Sequence, residues 1–271
     1  MRGRAAALAL VGLAALLSGS AAYAASSSVY LEDLTWTELR DRISAGATTA
    51  IIPIGGTEQS GPAIALGKHN ARVRILAGKI AAALGNAIVA PVEPYVPEGN
   101  ISPPTGHMAF PGTLTVSDAT FESLLESTAE SLRHAGFTTI VFIGDHGGYQ
   151  TDETAAASKL NVAWKGTTAR AFADLGYYAV TQKQYVSALK AAGLSADAIG
   201  THAGLADTSL TLALESGMVR TDLLDGAAFT AKDGVEGDPR GAKASLGQIG
   251  VELIVETSVA DIRAFIAKQP G

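Results

Sequence analysis

Cysteine is absent from all 271 residues. That excludes disulfides, a lipid-modified cysteine and a thiolate metal site. Aromatic residues are scarce, at 6%, and charged residues make up 17%. With abundant alanine and glycine, this is the composition of a tightly packed α/β chain rather than a disordered or fibrous one. A basic excess is also lacking, the formal net charge being −6. Nucleic acid and anionic membrane surfaces are therefore not expected as partners. No G-x-G-x-x-G or G-x-x-x-x-G-K-[ST] segment supports a nucleotide, no G-x-S-x-G elbow supports a serine hydrolase, and H-E-x-x-H does not occur. Internal repeats and low-complexity blocks are missing too.

What is present begins with a leader. Arg2 and Arg4 precede the short apolar run "AAALALVGLAALL", and "AAYA" ends at Ala24. The pattern predicts a cleaved signal peptide over residues 1–24, rather than an uncleaved anchor, and a periplasmic or secreted protein. Its removal takes two arginines and lowers the net charge from −6 to −8. Residues 25–271 are then expected to form one α/β domain.

Along that domain, "TWTELRDRISAG" predicts a helix over Thr37–Ser44 with Thr35 as cap. "TTAIIPIGG" reads as a buried strand and "ARVRILAGKIAAALG" as a helix stopped at Gly85. "NAIVAPVEPY" reads as a second strand, followed by a long Pro/Gly-rich loop, Val96–Thr115, of a length that suits function. A helix over Ser117–His134 stops at Gly136; "TTIVFIGD" is a third strand and "ARAFADLGYY" a fourth. Helices follow over "QKQYVSALKAAGL", "DTSLTLALES" and the terminal "SLGQIGVELIVETSVADIRAFIA". Alternating strands and helices predict a mostly parallel sheet covered on both faces, a three-layer α/β/α sandwich, with ligands beyond the carboxyl ends of the strands. "GVEGDPRGAKASLG", Gly234–Gly247, reads as a surface turn before the last helix.

Four of the five histidines fall in polar loops: His69, His107, His146 and His202. His134, late in a helix, reads as a solvated residue favoured by the helix C-terminus. Glu58, Asp145 and Asp207 accompany the loop histidines. Imidazole and carboxylate together suit zinc first, or manganese or iron, in a site with open positions. Gly147-Gly148, directly after His146, permits a sharp turn and close backbone approach to a ligand.

Four segments, "PIGGTEQSGPAIALGKHN", "FPGTLTV", "GFTTIVFIGDHGGYQ" and "HAGLADTSLTLAL", occur in the order found in the creatininase (creatinine amidohydrolase) family, which the chain resembles from about Leu34 to its last helix. The resemblance implies a three-layer α/β/α fold, a divalent metal, hydrolysis of amide or cyclic amide C–N bonds, a small-molecule substrate, and homo-oligomers, hexamers among them. It places Glu58, His69, His146 and Asp207 as metal ligands. His202 stands at the position of the histidine near the reacting group. Gln59, His107 and the backbone of Gly147-Gly148 are read as orienting a substrate carbonyl, with Tyr149, which departs from the family loop, as a further substrate contact. Ser60 stands where the family has histidine and His69 where it has aspartate, implying a centre rewritten towards one metal ion. Open alternatives are a metal-dependent lactone, formamide or small-peptide hydrolase on the same scaffold, and a non-catalytic periplasmic binding protein. Asp145 or Asp207 could instead fix a histidine tautomer beside the metal.

Overall fold

Thr49–Ile54 is β1, and all six residues are buried. A β-branched, apolar run of this kind has no solvent-facing side, so it belongs inside a sheet covered on both faces. The computed structural model describes residues 27–226 and 228–268; the leader predicted over residues 1–24 lies outside them. Before β1 comes α1 (Trp36–Ser44), started by a capping box between Thr35 and Glu38. After it come α2 (Lys68–Leu84), β2 (Ala87–Val89), α3 (Asp118–Ala135), β3 (Thr139–Gly144), α4 (Gln150–Ala163) and β4 (Arg170–Ala173). The chain then runs through α5 (Leu175–Val180), a π-helical turn (Thr181–Tyr185), α6 (Val186–Ala191), α7 (Ala196–Ile199), α8 (Leu205–Leu214) and the long α9 (Ala244–Ala267).

The sheet order is β2-β1-β3-β4 and every pairing is parallel. Alternate strand residues feed two cores. Ile51, Val141 and Ile143 pack with α2, α5, α8 and α9 on one face. Ala50, Ile52, Ile140 and Phe142 pack with α3 and α4 on the other. This is the expected α/β/α sandwich. Each fully buried isoleucine contributes about 1.5–3 kcal/mol relative to exposure, so β1 is held mainly by its two faces.

The second strand ends at Val89 rather than running on through "APVEPY", and two further boundaries differ from the sequence reading. The fourth strand stops at Ala173, and "LGYY" is helix α5. Tyr177 is drawn inward by a hydrogen bond from its hydroxyl to Asp145 Oδ1 at 2.8 Å, a partner remote in sequence that local β propensity does not report. Helix α2 begins at Lys68 rather than Ala71, which puts Lys68 and His69 on its first turn. The register sets the functional edge. Ile54 pairs with Gly144, so β1 and β3 end level and the chain after each emerges on the same side.

Candidate metal centre and active site

Glu58 leaves the end of β1 completely buried. Its two oxygens face different neighbours. Oε2 lies 3.2 Å from His107 Nε2 and 3.4 Å from His146 Nε2 and has no hydrogen-bond partner. Oε1 faces His69 Nε2 at 2.8 Å and Lys68 Nζ at 3.5 Å. Burial pushes the Glu58 carboxyl up, but the hydrogen bond and charge of His69, then Lys68 and His146, outweigh it and hold the group well below the usual carboxylate range.

Beside Glu58 stands Glu98, from the long loop after β2. It is buried and both its oxygens lack a hydrogen-bond partner. Burial, then the Glu58 charge, pushes Glu98 up to about 9, the usual response of two acids crowded in one apolar site. Gly56, at φ +135, makes the approach possible, since a Cβ there would come within 3.0 Å of Glu98 Oε1. One donor atom each from Glu58, Glu98, His107 and His146 lie within 4.8 Å of one another. Two carboxylates and two imidazoles, with orphaned buried oxygens, fit a divalent ion of the zinc, manganese or iron type.

The sequence reading named Glu58, His107 and His146 among its site residues, but it missed Glu98. No periodicity marks that residue; its signal was an acid wedged between Pro97 and Gly99 inside an unusually long loop. His69 is placed differently from a metal ligand. Its Nε2 faces Glu58, and its Nδ1 lies 2.6 Å from Asp145 Oδ2, so both ring nitrogens are engaged by carboxylates. Asp145 is the orienting acid that the sequence allowed for. It is also bound by Arg72 at 2.7 Å and by the Tyr177 hydroxyl, and these partners hold it below its ordinary value against burial. Asp207 stands outside the four-residue group as well, because Lys68 and Arg72 both ion-pair with it. Its Oδ2 also accepts the Ala203 N–H at 2.9 Å. Burial opposes its ionisation, but Lys68 and then Arg72 hold it well below normal. Ser60 is buried with an unpartnered hydroxyl.

His202 stacks on His107 with ring centroids 4.4 Å apart. Its Nε2 lies 3.0 Å from the Gln59 carbonyl oxygen and 3.1 Å from Gln59 Nε2, while its Nδ1 is 3.8 Å from Glu58 Oε1. Burial and then Lys68 lower His202 to about 4, and burial lowers His146 to about 3, so both rings are neutral near pH 7. Gln59 is a clamp rather than a free substrate contact: Nε2 reaches His107 Nδ1 at 2.9 Å and Oε1 accepts the Gly61 N–H at 2.9 Å. The segment read as a surface turn joins this assembly, because Glu236 pairs with His202 through backbone hydrogen bonds. Asp238 and Arg240 pair with each other locally.

Tyr149 is corrected from a substrate contact to a strut. It is fully buried, with its hydroxyl donating towards the carbonyls of Gly55 at 2.6 Å and Ile54 at 2.9 Å. The same oxygen accepts the His146 N–H, tying the loops after β1 and β3 together. Gly148 directs its N–H to His146 Nδ1 at 3.1 Å. Gly147 lies against Tyr178, whose hydroxyl would sit 2.7 Å from a Cβ at that position. A cavity of about 250 Å³ opens in front, lined by His107, His146, His202, Lys68, Asp207 and Tyr178 among others.

Comparison with known proteins fits this geometry. The family model described as "Creatininase: Creatinine amidohydrolase" matches residues 32–262. The chain is 28% identical over 220 residues to the mycofactocin precursor peptide peptidase of Mycolicibacterium smegmatis, covering 73% of this chain and 77% of that one. It is 26% identical over 121 residues to the creatinine amidohydrolase of Pseudomonas putida, covering 45% of this chain and 46% of the other. A crystal structure of creatinine amidohydrolase superimposes with a TM-score of 0.74 at 22% identity, over 91% of this chain and all of that one. Solved creatininases of the same fold include one described as Zn-Zn type and one with manganese. The chain belongs to the creatininase (creatinine amidohydrolase) family, whose members are amidohydrolases.

Proposed function

We propose that this chain hydrolyses a C–N bond of a small polar amide or cyclic amide, with a divalent ion held by Glu58, Glu98, His107 and His146. The observation that carries this reading is the set of orphaned oxygens, Glu58 Oε2 and both of Glu98, buried beside two imidazoles. Unpaired buried acids cost several kcal/mol unless a proton or a cation joins them. When bound, the ion supplies a water of near-neutral pKa and a Lewis acid for the substrate carbonyl.

The residues of the chain do the rest. His202, neutral near pH 7 and anchored to Gln59 through Nε2, offers Nδ1 as the atom that takes and returns a proton. Gln59 keeps the His107 and His202 rings in place. Tyr178, pushed up by burial and then by Asp207, remains a phenol that can donate a hydrogen bond into the cavity. The cavity admits a small ligand. The similarity to a peptidase supports including short peptides among the substrates.

Export is part of the proposal, supported by the leader pattern over residues 1–24. A homo-oligomer is also proposed, on the family resemblance. No helix among the described residues is long and apolar enough to cross a membrane.

The test is a panel of cyclic amides, formamides, lactones and short peptides, assayed with chelated protein and after zinc or manganese is restored. Metal-dependent amine release that His202→Ala abolishes, with fold and metal content intact, supports the reading. Tight ligand binding with no turnover under any metal overturns it in favour of a binding protein.

A further inference from the structure

The Oε1 side of Glu58 is built from fixed cations. Lys68 is 1% exposed. From the first turn of α2 its ammonium reaches Glu58 Oε1 at 3.5 Å and pairs with Asp207 Oδ2. Arg72, one helical turn further on, pairs with the other Asp207 oxygen and with Asp145. Helical spacing of four residues places both cations on one face. The Lys68 ammonium thus lies between a carboxylate of the loop after β1 and one on the first turn of α8, the position a bridging cation would take.

We propose that Lys68 is a resident cation that fills this half of the centre. A divalent ion is then bound on the Oε2 side alone, and Lys68 rather than a second ion ties Asp207 to Glu58. The inference rests on the metal-centre reading above.

Charge balance supports it. The carboxylates around this centre are Glu58, Glu98, Asp145 and, at the cavity wall, Asp207, and its buried cations are Lys68 and Arg72. Once a divalent ion has displaced the Glu98 proton, the four negative and two positive charges of the site are neutralised by that one ion. A second ion would leave an excess of two positive charges in the site. Uncompensated buried charge of that size is not tolerated without neutralisation.

Elemental analysis of the full chain, loaded with zinc or manganese and freed of excess by dialysis, tests this for the wild type, Lys68→Met and Lys68→Arg. The expected result is one ion per subunit in the wild type and in Lys68→Arg, and two in Lys68→Met. The double variant Lys68→Met with Asp207→Asn should return to one. Two ions in the wild type, or one in a folded Lys68→Met, overturns the proposal. If Lys68→Met does not fold, wild-type stoichiometry decides alone, one supporting and two overturning. A wild type that is folded by circular dichroism yet takes up no ion defeats the metal-centre reading itself, and this proposal with it.

Discussion

Two pairs of buried acids in this molecule invite comparison. Glu58 and Glu98 follow β1 and β2; Glu153, on α4, and Asp174, directly after β4, form the second pair. In both pairs, carboxylate oxygens lack hydrogen-bond partners, and Glu98, Glu153 and Asp174 are all pushed up, burial being the largest cause. The difference lies in the company. His107 and His146 approach Glu58 Oε2 to 3.2 and 3.4 Å, so the first pair offers a mixed oxygen and nitrogen donor set. No histidine belongs to the second group, whose charged neighbours Asp152 and Asp261 are themselves acids. The first pair is built for a cation and the second for protons. Burial alone therefore does not identify a site; the donor atoms around the acid do.

The largest expected effect is at the first pair's reacting edge. His202→Ala should lower kcat roughly 10²–10⁴-fold and leave metal content unchanged, which parallel elemental analysis would check. Next, Glu98→Gln should weaken metal binding by on the order of 10²–10³-fold, since it removes one partner of a buried charge cluster. Glu153→Gln should leave metal affinity as in the wild type. Competitive titration against a chromogenic chelator separates the two, and equal losses would erase the distinction between the pairs.

The second pair predicts a pH effect. Asp174 is raised from 3.8 to about 6 in the folded chain. A raised carboxyl favours folding while protonated, so its contribution is present below about pH 4 and lost as pH rises through about 6. The full change is about 3 kcal/mol, and Glu153 acts in the same direction. Asp174→Asn mimics the protonated form. Urea midpoints in chelator should therefore shift in the variant's favour between pH 4 and pH 7; parallel curves would contradict the account. The smallest effect is Tyr177→Phe, which removes the hydroxyl that orients Asp145 and should cost about 1 kcal/mol in unfolding experiments.

Much of this was legible in the sequence, for physical reasons. β1 and β3 are short apolar runs stopped by polar loops, α1 carries its capping box, and α3 ends at a left-handed Gly136. Glu58 and His146 could be found because they directly follow such strands, and His107 because it sits in a long polar loop. Glu98 could not, since its meaning depends on contact with Gly56 and Glu58 across the loop. The setting of His69 depends on one helical turn that the sequence did not show: because α2 begins at Lys68, His69 lies between Glu58 and Asp145, and Lys68 and Arg72 align towards Asp207. Tyr177 read as strand for the same kind of reason, its decisive partner being distant in sequence.

Anomalous diffraction from crystals of the full chain loaded with manganese or zinc tests the central claim most directly. The account predicts one peak per subunit, enclosed by Glu58, Glu98, His107 and His146. A peak between His69 and Asp207, or a pair of peaks flanking Glu58, would contradict it.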